Sequence, residues 1–211
     1  MKAKSAFFLF LTLVLGVGFL AGCQTVQSPT VSSGNVGYGD SKAVETLTTE
    51  FGSTDLQMIA ESMTRSLLQT DILASKKRGG KPILTLAEVK NKTSEYIDTK
   101  SITNSIRSQL LKSGTVRFAV DVDAMQSQVT EIKRQSQTGL YAKSKSKKVG
   151  KMVGSDFRLE GEITSIVKRA DDIKDVYYKF TLQLIDNESG LMDWSDEKEI
   201  RKTGKRPLFG N

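Results

Sequence analysis

The spacing of apolar residues along the chain predicts three main helices. Each of three stretches repeats an apolar residue every three or four positions, which places those residues on one helical face. The apolar sets are Leu56, Ile59, Ala60, Met63 and Leu67; then Ile102, Ile106 and Leu110; then Met125, Val129 and Ile132. Residues able to cap a helix precede them: Ser53, Thr54 or Asp55, then Asp98 or Thr99, then Asp121 or Asp123. A fourth, short helix is expected over residues 143–153, closed by Gly154.

Alternation of apolar and polar residues predicts β-strands between and after these helices. The expected strands lie at residues 83–89, 116–120, 157–167, 176–184 and 191–200. The stretch 91–98 is expected to be a polar loop. Turns over 171–172 and 186–190 join the last three strands into a meander. The many charges of the final strand are typical of a sheet edge.

The order of these elements predicts the fold class and the domain organisation. Helices and strands alternate first and a three-stranded meander follows, which is typical of a single α/β sandwich with helices packed on a mixed sheet. This body is expected over residues 54–201, with a loose tail at 202–211. Residues 23–53 are rich in Ser, Thr and Gly, and their apolar residues repeat with neither the helical nor the strand period. They are therefore expected to form a flexible linker.

Residues 1–22 are predicted to be a secretory signal peptide. Two lysines precede an apolar run over residues 6–20, which is shorter than the about 20 residues that cross a bilayer. The run ends in four residues that resemble the bacterial lipobox, Leu20, Ala21, Gly22 and Cys23. We therefore expect a lipid on the Cys23 thiol and a permanent membrane anchor. Gln24 stands where lipoproteins retained at the inner membrane carry Asp, so the resemblance implies the outer membrane, on its periplasmic side.

The composition argues against an enzyme and against a bound metal or cofactor. The 211 residues include no histidine and one cysteine, which excludes Ser-His-Asp and Cys-His catalysis, histidine zinc sites and internal disulfides. No phosphate-binding or nucleophile-elbow motif occurs. Three carboxylate pairs have structural explanations. Asp121 with Asp123 is expected to cap a helix, Asp171 with Asp172 to form a turn, and Glu160 with Glu162 to lie on the solvent-facing side of a strand.

A basic stretch suggests an acidic partner. The net charge is +7, and seven lysines and arginines lie between Ile132 and Ser155 without one acid. Such a surface attracts an acidic protein and raises its association rate. Tyr141, inside the stretch, could anchor an interface or be a half-buried loop residue. The alternatives are a solvated helix face and contact with anionic lipid headgroups; nucleic acid is not expected to meet an exported lipoprotein.

Three further runs, together with the lipobox, carry a resemblance to a known family. They read AK-x4-KVGKMVGSDF-x-L-x-G over residues 142–161, Y-x-F-x-L-x-LID over 178–186 and GL-x2-WS over 190–195. In this order they resemble the penicillin-binding protein activator LpoB family of outer-membrane lipoproteins. The likeness covers residues 50–201 as well as the signal peptide.

The resemblance implies a fold, a partner and a set of contact residues. It implies a fold similar to the N-terminal domain of TolB and no catalytic activity. It also implies binding to a small accessory domain of a bifunctional penicillin-binding protein, with stimulation of glycan polymerisation and peptide crosslinking. The positions carried over as partner-binding are Arg117, Arg134, Tyr141, Lys145 and Lys148. One departure is the linker, about 30 residues with Pro29 alone, where better-known members have a long Pro-rich tether.

The sequence hypothesis is therefore an outer-membrane lipoprotein that binds and stimulates a peptidoglycan synthase, expected to be a monomer. Three alternatives stay open. One is an envelope assembly or secretion lipoprotein of the curli type, which would form rings. Another is a carboxylate-based cell-wall hydrolase, which would degrade glycan without any synthase. The third is a structural lipoprotein that bridges membrane and wall.

Overall fold

A computed structural model describes residues 39–45, 48–75, 80–142, 144–147 and 150–205. The chain divides into two compact units, Met1–Val44 and Glu45–Asn211. In the described part of the first unit, the Lys42 N–H donates to Asp40 Oδ1 (2.9 Å) in a local turn. All elements below belong to the second unit.

The second unit contains four helices and six strands among the described residues. The helices are α1 (Ser53–Leu68), α2 (Ile72–Ser75), α3 (Thr99–Lys112) and α4 (Val122–Gln137). The strands are β1 (Ile83–Leu86), β2 (Lys90–Lys92), β3 (Arg117–Phe118), β4 (Phe157–Ala170), β5 (Ile173–Asp186) and β6 (Met192–Lys205).

The six strands form one mixed sheet, as the order of elements predicted. The strand order is β3-β1-β4-β5-β6, and β2 pairs with β4 beside this path. β1 runs parallel to both β3 and β4, whereas β4, β5 and β6 form an antiparallel meander. β3 and the charged β6 are the two edges, so the prediction of an edge strand for the end of the chain is confirmed.

The hydrophobic core lies between α1, α3 and one face of the sheet. The predicted apolar stripes of the first two helices are buried there. Their fully buried members are Ile59, Ala60, Met63, Leu67, Ile102, Ile106 and Leu110. The sheet contributes alternate residues of β4 and β5, including Phe157, Leu159, Phe180 and Leu182. Each of these larger side chains stabilises the fold by about 1.5–3 kcal/mol through burial.

Both predicted ends of α3 are confirmed, and two predicted caps are corrected. The N-cap of α1 is Gly52 rather than Ser53, Thr54 or Asp55, and Gly52 N–H donates to the Asp55 carboxylate (2.8 Å). The Asp98 carboxylate accepts a hydrogen bond from Ser101 N–H (3.2 Å) and caps α3, and Gly114 follows that helix with φ +69°. Asp121 is the residue before α4, but its carboxylate accepts from Arg107 Nη2 (2.9 and 3.0 Å) rather than from a helix N–H. Asp121 therefore links α3 to α4.

The helix predicted at 143–153 was wrong for the residues described there. They form turns and extended chain, and Gly150 has φ +82°. The physical reason is that the first half of this stretch is polar and its later apolar residues, Met152 and Val153, stay exposed, so helix formation would gain little burial. The strands predicted at 83–89 and 116–120 are shorter, and the polar loop at 91–98 begins inside β2.

The predicted limits of the body also change. β6 continues to Lys205, because residues 202–205 pair with β5, so a loose tail from 202 was wrong for these four residues. The compact unit begins at Glu45 instead of Thr54. Residues 48–52, which we call the strap, were predicted to belong to the linker and instead pack on the body.

The strap is held by polar and aromatic contacts to the buried side of the sheet. Tyr178 OH donates to Thr49 O (3.2 Å) and to the Glu95 carboxylate. The Phe51 ring stands edge-on to Tyr178 at 5.8 Å between centroids. Lys202 Nζ donates to Glu50 O (2.7 Å) and pairs with the buried Asp55. Burial, together with the Glu95 carboxylate, raises the pKa of Tyr178, so the phenol stays protonated in the folded chain.

We expect Gly161→Ala to destabilise the fold by about 1–3 kcal/mol. A Cβ at this position of β4 would lie 2.9 Å from Thr181 O and 3.2 Å from Val89 Cγ2, so the strands must shift. The matched control is Gly154→Ala, whose Cβ meets nothing within 4 Å. Urea unfolding of both variants measures the effect, and equal midpoints would contradict the packing described for β4.

Candidate partner-binding surface

Helix α4 is amphipathic but does not take part in the core. Of its side chains that the structure describes, none is buried. Met125 is 38% exposed, and Val129 and Ile132 are half-buried. The apolar stripe of α4 therefore has the pattern of a core helix without the burial. An apolar helix face that remains partly exposed outside the core is typical of an interaction surface.

A groove of about 660 Å³ runs beside this stripe. One wall is α4, with Met125 and Ile132, and the other is the edge strand β3, with the residues on either side of it. The extended segment Lys151–Gly154 closes the groove on its third side. The apolar side chains Val120, Met152 and Val153 line it and are 41–67% exposed.

Three cations surround the groove. They are Arg117, Lys147 and Lys151, and none of them forms an ion pair with another described residue. The acid that also lines the groove, Glu131, accepts from Arg134 Nε and Nη2 (2.7 Å each) and from Gln135 Nε2 (2.9 Å). Its charge is therefore neutralised locally, and the groove presents apolar surface with a net positive rim.

Arg134 and Tyr141 form a second feature of this surface. The Arg134 guanidinium lies over the Tyr141 ring, 5.1 Å from its centroid, in a cation–π contact. The bidentate bond to Glu131 fixes the guanidinium from the other side. Tyr141 is thus held at the end of α4 with 37% of its surface exposed. A fixed aromatic residue beside a cation is a common anchor in protein interfaces.

The predicted site residues are brought together only in part. Arg117 lines the groove, and Arg134 and Tyr141 touch one another at the end of α4. Lys145 is exposed in a turn, where its N–H donates to Ala142 O (2.8 Å), and it does not line the groove. Lys148 and the lipobox residues Leu20, Ala21, Gly22 and Cys23 lie outside the described residues.

Sequence reasoning missed the apolar part of this surface. Met125 and Ile132 were assigned to a helix of the sandwich, and Met152 and Val153 to a short helix. The signal in the sequence was their position around the basic residues: Ile132 directly precedes Lys133, the first of them, and Met152 directly follows Lys151, the last. Exposed apolar residues rimmed by polar or charged ones mark interaction sites.

Two of the candidate carboxylate pairs, Glu160 with Glu162 and Asp171 with Asp172, lack the buried, apolar surroundings of an acid–base site. Glu160 pairs with Arg158 (2.5 Å) and Glu162 with Lys92 (2.7 Å), all at least one-third exposed. Asp171 and Asp172 make the exposed β4–β5 turn, where Asp171 has φ +50°. Within the described ranges, no cluster of three or more possible ligand residues could hold a metal ion. In the same ranges, the helices are too short or too polar for a bilayer span.

Arg134 lowers the pKa of Glu131 from 4.5 to about 2, and Gln135 adds a second hydrogen bond. Because the pKa is lower in the folded chain than in the unfolded chain, the pair stabilises α4 above about pH 4.5 and loses its effect as pH falls towards 2. We expect an NMR titration to show a Glu131 carboxyl midpoint near pH 2 and Arg134→Gln to raise it. An unchanged midpoint in the variant would contradict the pairing.

Comparison with known proteins gives one family. The family model of the peptidoglycan-synthase activator LpoB matches residues 55–200. No curated protein sequence matches the chain significantly.

Solved structures show similar chains at low identity. The LpoB C-terminal domain from Escherichia coli is 18% identical, with 69% of this chain and 98% of that chain covered and a TM-score of 0.44. The NMR structure of E. coli LpoB is 18% identical, with 88% and 87% covered and a TM-score of 0.40. Lipoprotein GNA1162 from Neisseria meningitidis is 12% identical, with 62% and 87% covered and a TM-score of 0.37.

Proposed function

The chain belongs to the peptidoglycan-synthase activator LpoB family, and from that membership we propose that it is a lipid-anchored, non-catalytic protein that binds and stimulates a bifunctional penicillin-binding protein. The observation that carries the proposal is the partly exposed apolar stripe of α4, outside the core, beside a groove with a positive rim. Apolar surface left in this position favours a partner that covers it. The positive charge of the rim favours an acidic partner.

The membrane anchor in this proposal is a lipid on Cys23. The lipobox at residues 20–23 supports it, and Gln24 supports the outer membrane as the destination. Two or three acyl chains, at about 0.8 kcal/mol per buried CH₂, would hold the chain permanently. The linker predicted from the sequence between Cys23 and the body would let the body face the periplasm and the wall.

Stimulation would work by population shift rather than by chemistry on the glycan. A partner that alternates between a resting and an active conformation is activated if the groove binds the active one more tightly. A tenfold stimulation needs only about 1.4 kcal/mol of difference in affinity. A surface of apolar, basic and aromatic side chains can supply this difference, and no acid or base is needed.

A crosslinked pull-down from envelopes with the intact lipidated chain tests this function. We expect a bifunctional penicillin-binding protein among the captured proteins. Mass spectrometry of the purified chain should show a start at Cys23 with added acyl mass. Recovery of no synthase, or an unmodified start at Met1, would contradict the partner or the anchor respectively.

A further inference from the structure

We propose that the groove receives an extended, acidic segment of the partner, which pairs with the outer edge of β3, unpaired within the described residues, as an additional strand of the sheet. The inference rests on the proposed function for the identity of the partner. It adds the conformation of the bound segment, its charge and the backbone groups that hold it. Four features of the groove support it.

The first feature is the direction of the backbone groups in β3. Arg117 N–H donates to Pro82 O (2.9 Å) and Ala119 N–H to Leu84 O (2.8 Å), both on the β1 side. Successive N–H groups of an extended strand point to opposite edges, so the N–H and C=O of Phe118 point away from β1. Within the described residues β3 pairs with β1 alone. The outward groups of Phe118 are therefore an open site for strand addition.

The second feature is that this open edge is a wall of the groove. Residues 117–120 line it continuously, facing α4 and the segment Lys151–Gly154. An exposed strand edge is normally covered by charged side chains, a bulge or another element. Here it is bordered by the exposed apolar side chains Val120, Met152 and Val153. The shortness of β3 and the nearby charges limit unspecific pairing, while the exposed apolar side chains leave a surface that a peptide segment of matching chemistry can cover.

The third feature is the apolar stripe of α4 opposite the edge. Side chains of a strand alternate between its two faces, so every second residue of an added strand would point to one side. Met125 and Ile132 offer apolar contact on that side. Main-chain hydrogen bonds would give affinity and these contacts would select apolar residues at alternate positions. A bound helix would not use the open groups of Phe118.

The fourth feature is charge. Arg117, Lys147 and Lys151 surround the groove, and Glu131 is neutralised by Arg134. The bound segment should therefore carry carboxylates at the positions between or beside its apolar residues. The chemistry of the occupant is an alternating apolar and acidic strand.

Hydrogen exchange resolved to single residues tests the inference, with the full chain and a purified bifunctional penicillin-binding protein. Complex formation should slow exchange at the Phe118 amide at least tenfold. The Arg117 and Ala119 amides, already bonded within the sheet, are the internal reference and should change much less. A double variant, Lys147→Glu with Lys151→Glu, should weaken binding at least tenfold and reduce the protection of Phe118 at the same synthase concentration.

The outcomes separate the inference from the proposed function. A complex that forms without protection of Phe118 overturns strand addition while the activator function stands. Absence of any complex overturns both. Protection that appears in the chain alone and grows with its concentration would assign the edge to a second copy, which also overturns the inference.

Discussion

Replacing Ile132 by glutamate is expected to abolish stimulation of the synthase while leaving the fold intact. Ile132 lies on the stripe of α4 that lines the groove, and it is only half-buried. A charge there would face the apolar residues of the partner and lose most of the interface. Because Ile132 is half-buried but lies outside the core, the free energy of unfolding should fall by only about 1 kcal/mol, well below the loss expected for a core residue.

The matched control for this experiment is Ile106→Ala in α3. Ile106 has the same spacing pattern but is fully buried in the core. Its truncation should cost about 2–5 kcal/mol of stability through lost burial and an internal cavity. Thermal unfolding and synthase assays on both variants distinguish the two helices. If Ile132→Glu lowers the melting temperature as much as the core variant, α4 is a structural helix and the surface is misassigned.

Charge reversal at Lys147 and Lys151 is expected to slow association with the synthase by about tenfold or more, with a weaker dependence on salt. Both side chains line the groove and neither has an ion-pair partner among the described residues. Surface charges of this kind act mainly on the encounter rate, which salt screens. Stopped-flow or surface-based kinetics at two salt concentrations measures the effect.

The control for charge reversal is Lys100→Glu with Lys168→Glu, which changes the net charge by the same amount. Lys100 lies in the first turn of α3 and Lys168 in β4, and neither lines the groove. This pair should leave association within about twofold, since only the local field near the interface steers a partner. Equal slowing by both double variants would mean that net charge alone matters and that the groove has no special role.

The sequence predicted the core half of the fold well because its elements obey local rules. The stripe Ile102, Ile106 and Leu110 has a helical period, and α3 carries it between the capping Asp98 and the terminating Gly114. The meander β4–β6 follows from alternation and two turns. In these elements the conformation that the local sequence favours also buries its apolar residues in the core. The sequence pattern therefore predicts the burial.

The site was harder to predict because a pattern shows amphipathicity but not what covers the apolar face. Met125, Val129 and Ile132 look like a core stripe, and only the tertiary structure shows them outside the core. Lys147 and Lys151 reach the groove through the path of a loop, which no period encodes. The strap depends on contacts between residues far apart in the chain, such as Glu50 with Lys202. Chain spacing carries no information on such pairs.

The most direct test of the account is the rate of glycan polymerisation by a purified bifunctional penicillin-binding protein, measured with and without the purified chain. The account predicts a faster rate when the chain is present, loss of that gain with Ile132→Glu, and no change in glycan when the synthase is left out. An unchanged rate, or glycan broken down by the chain alone, would contradict it.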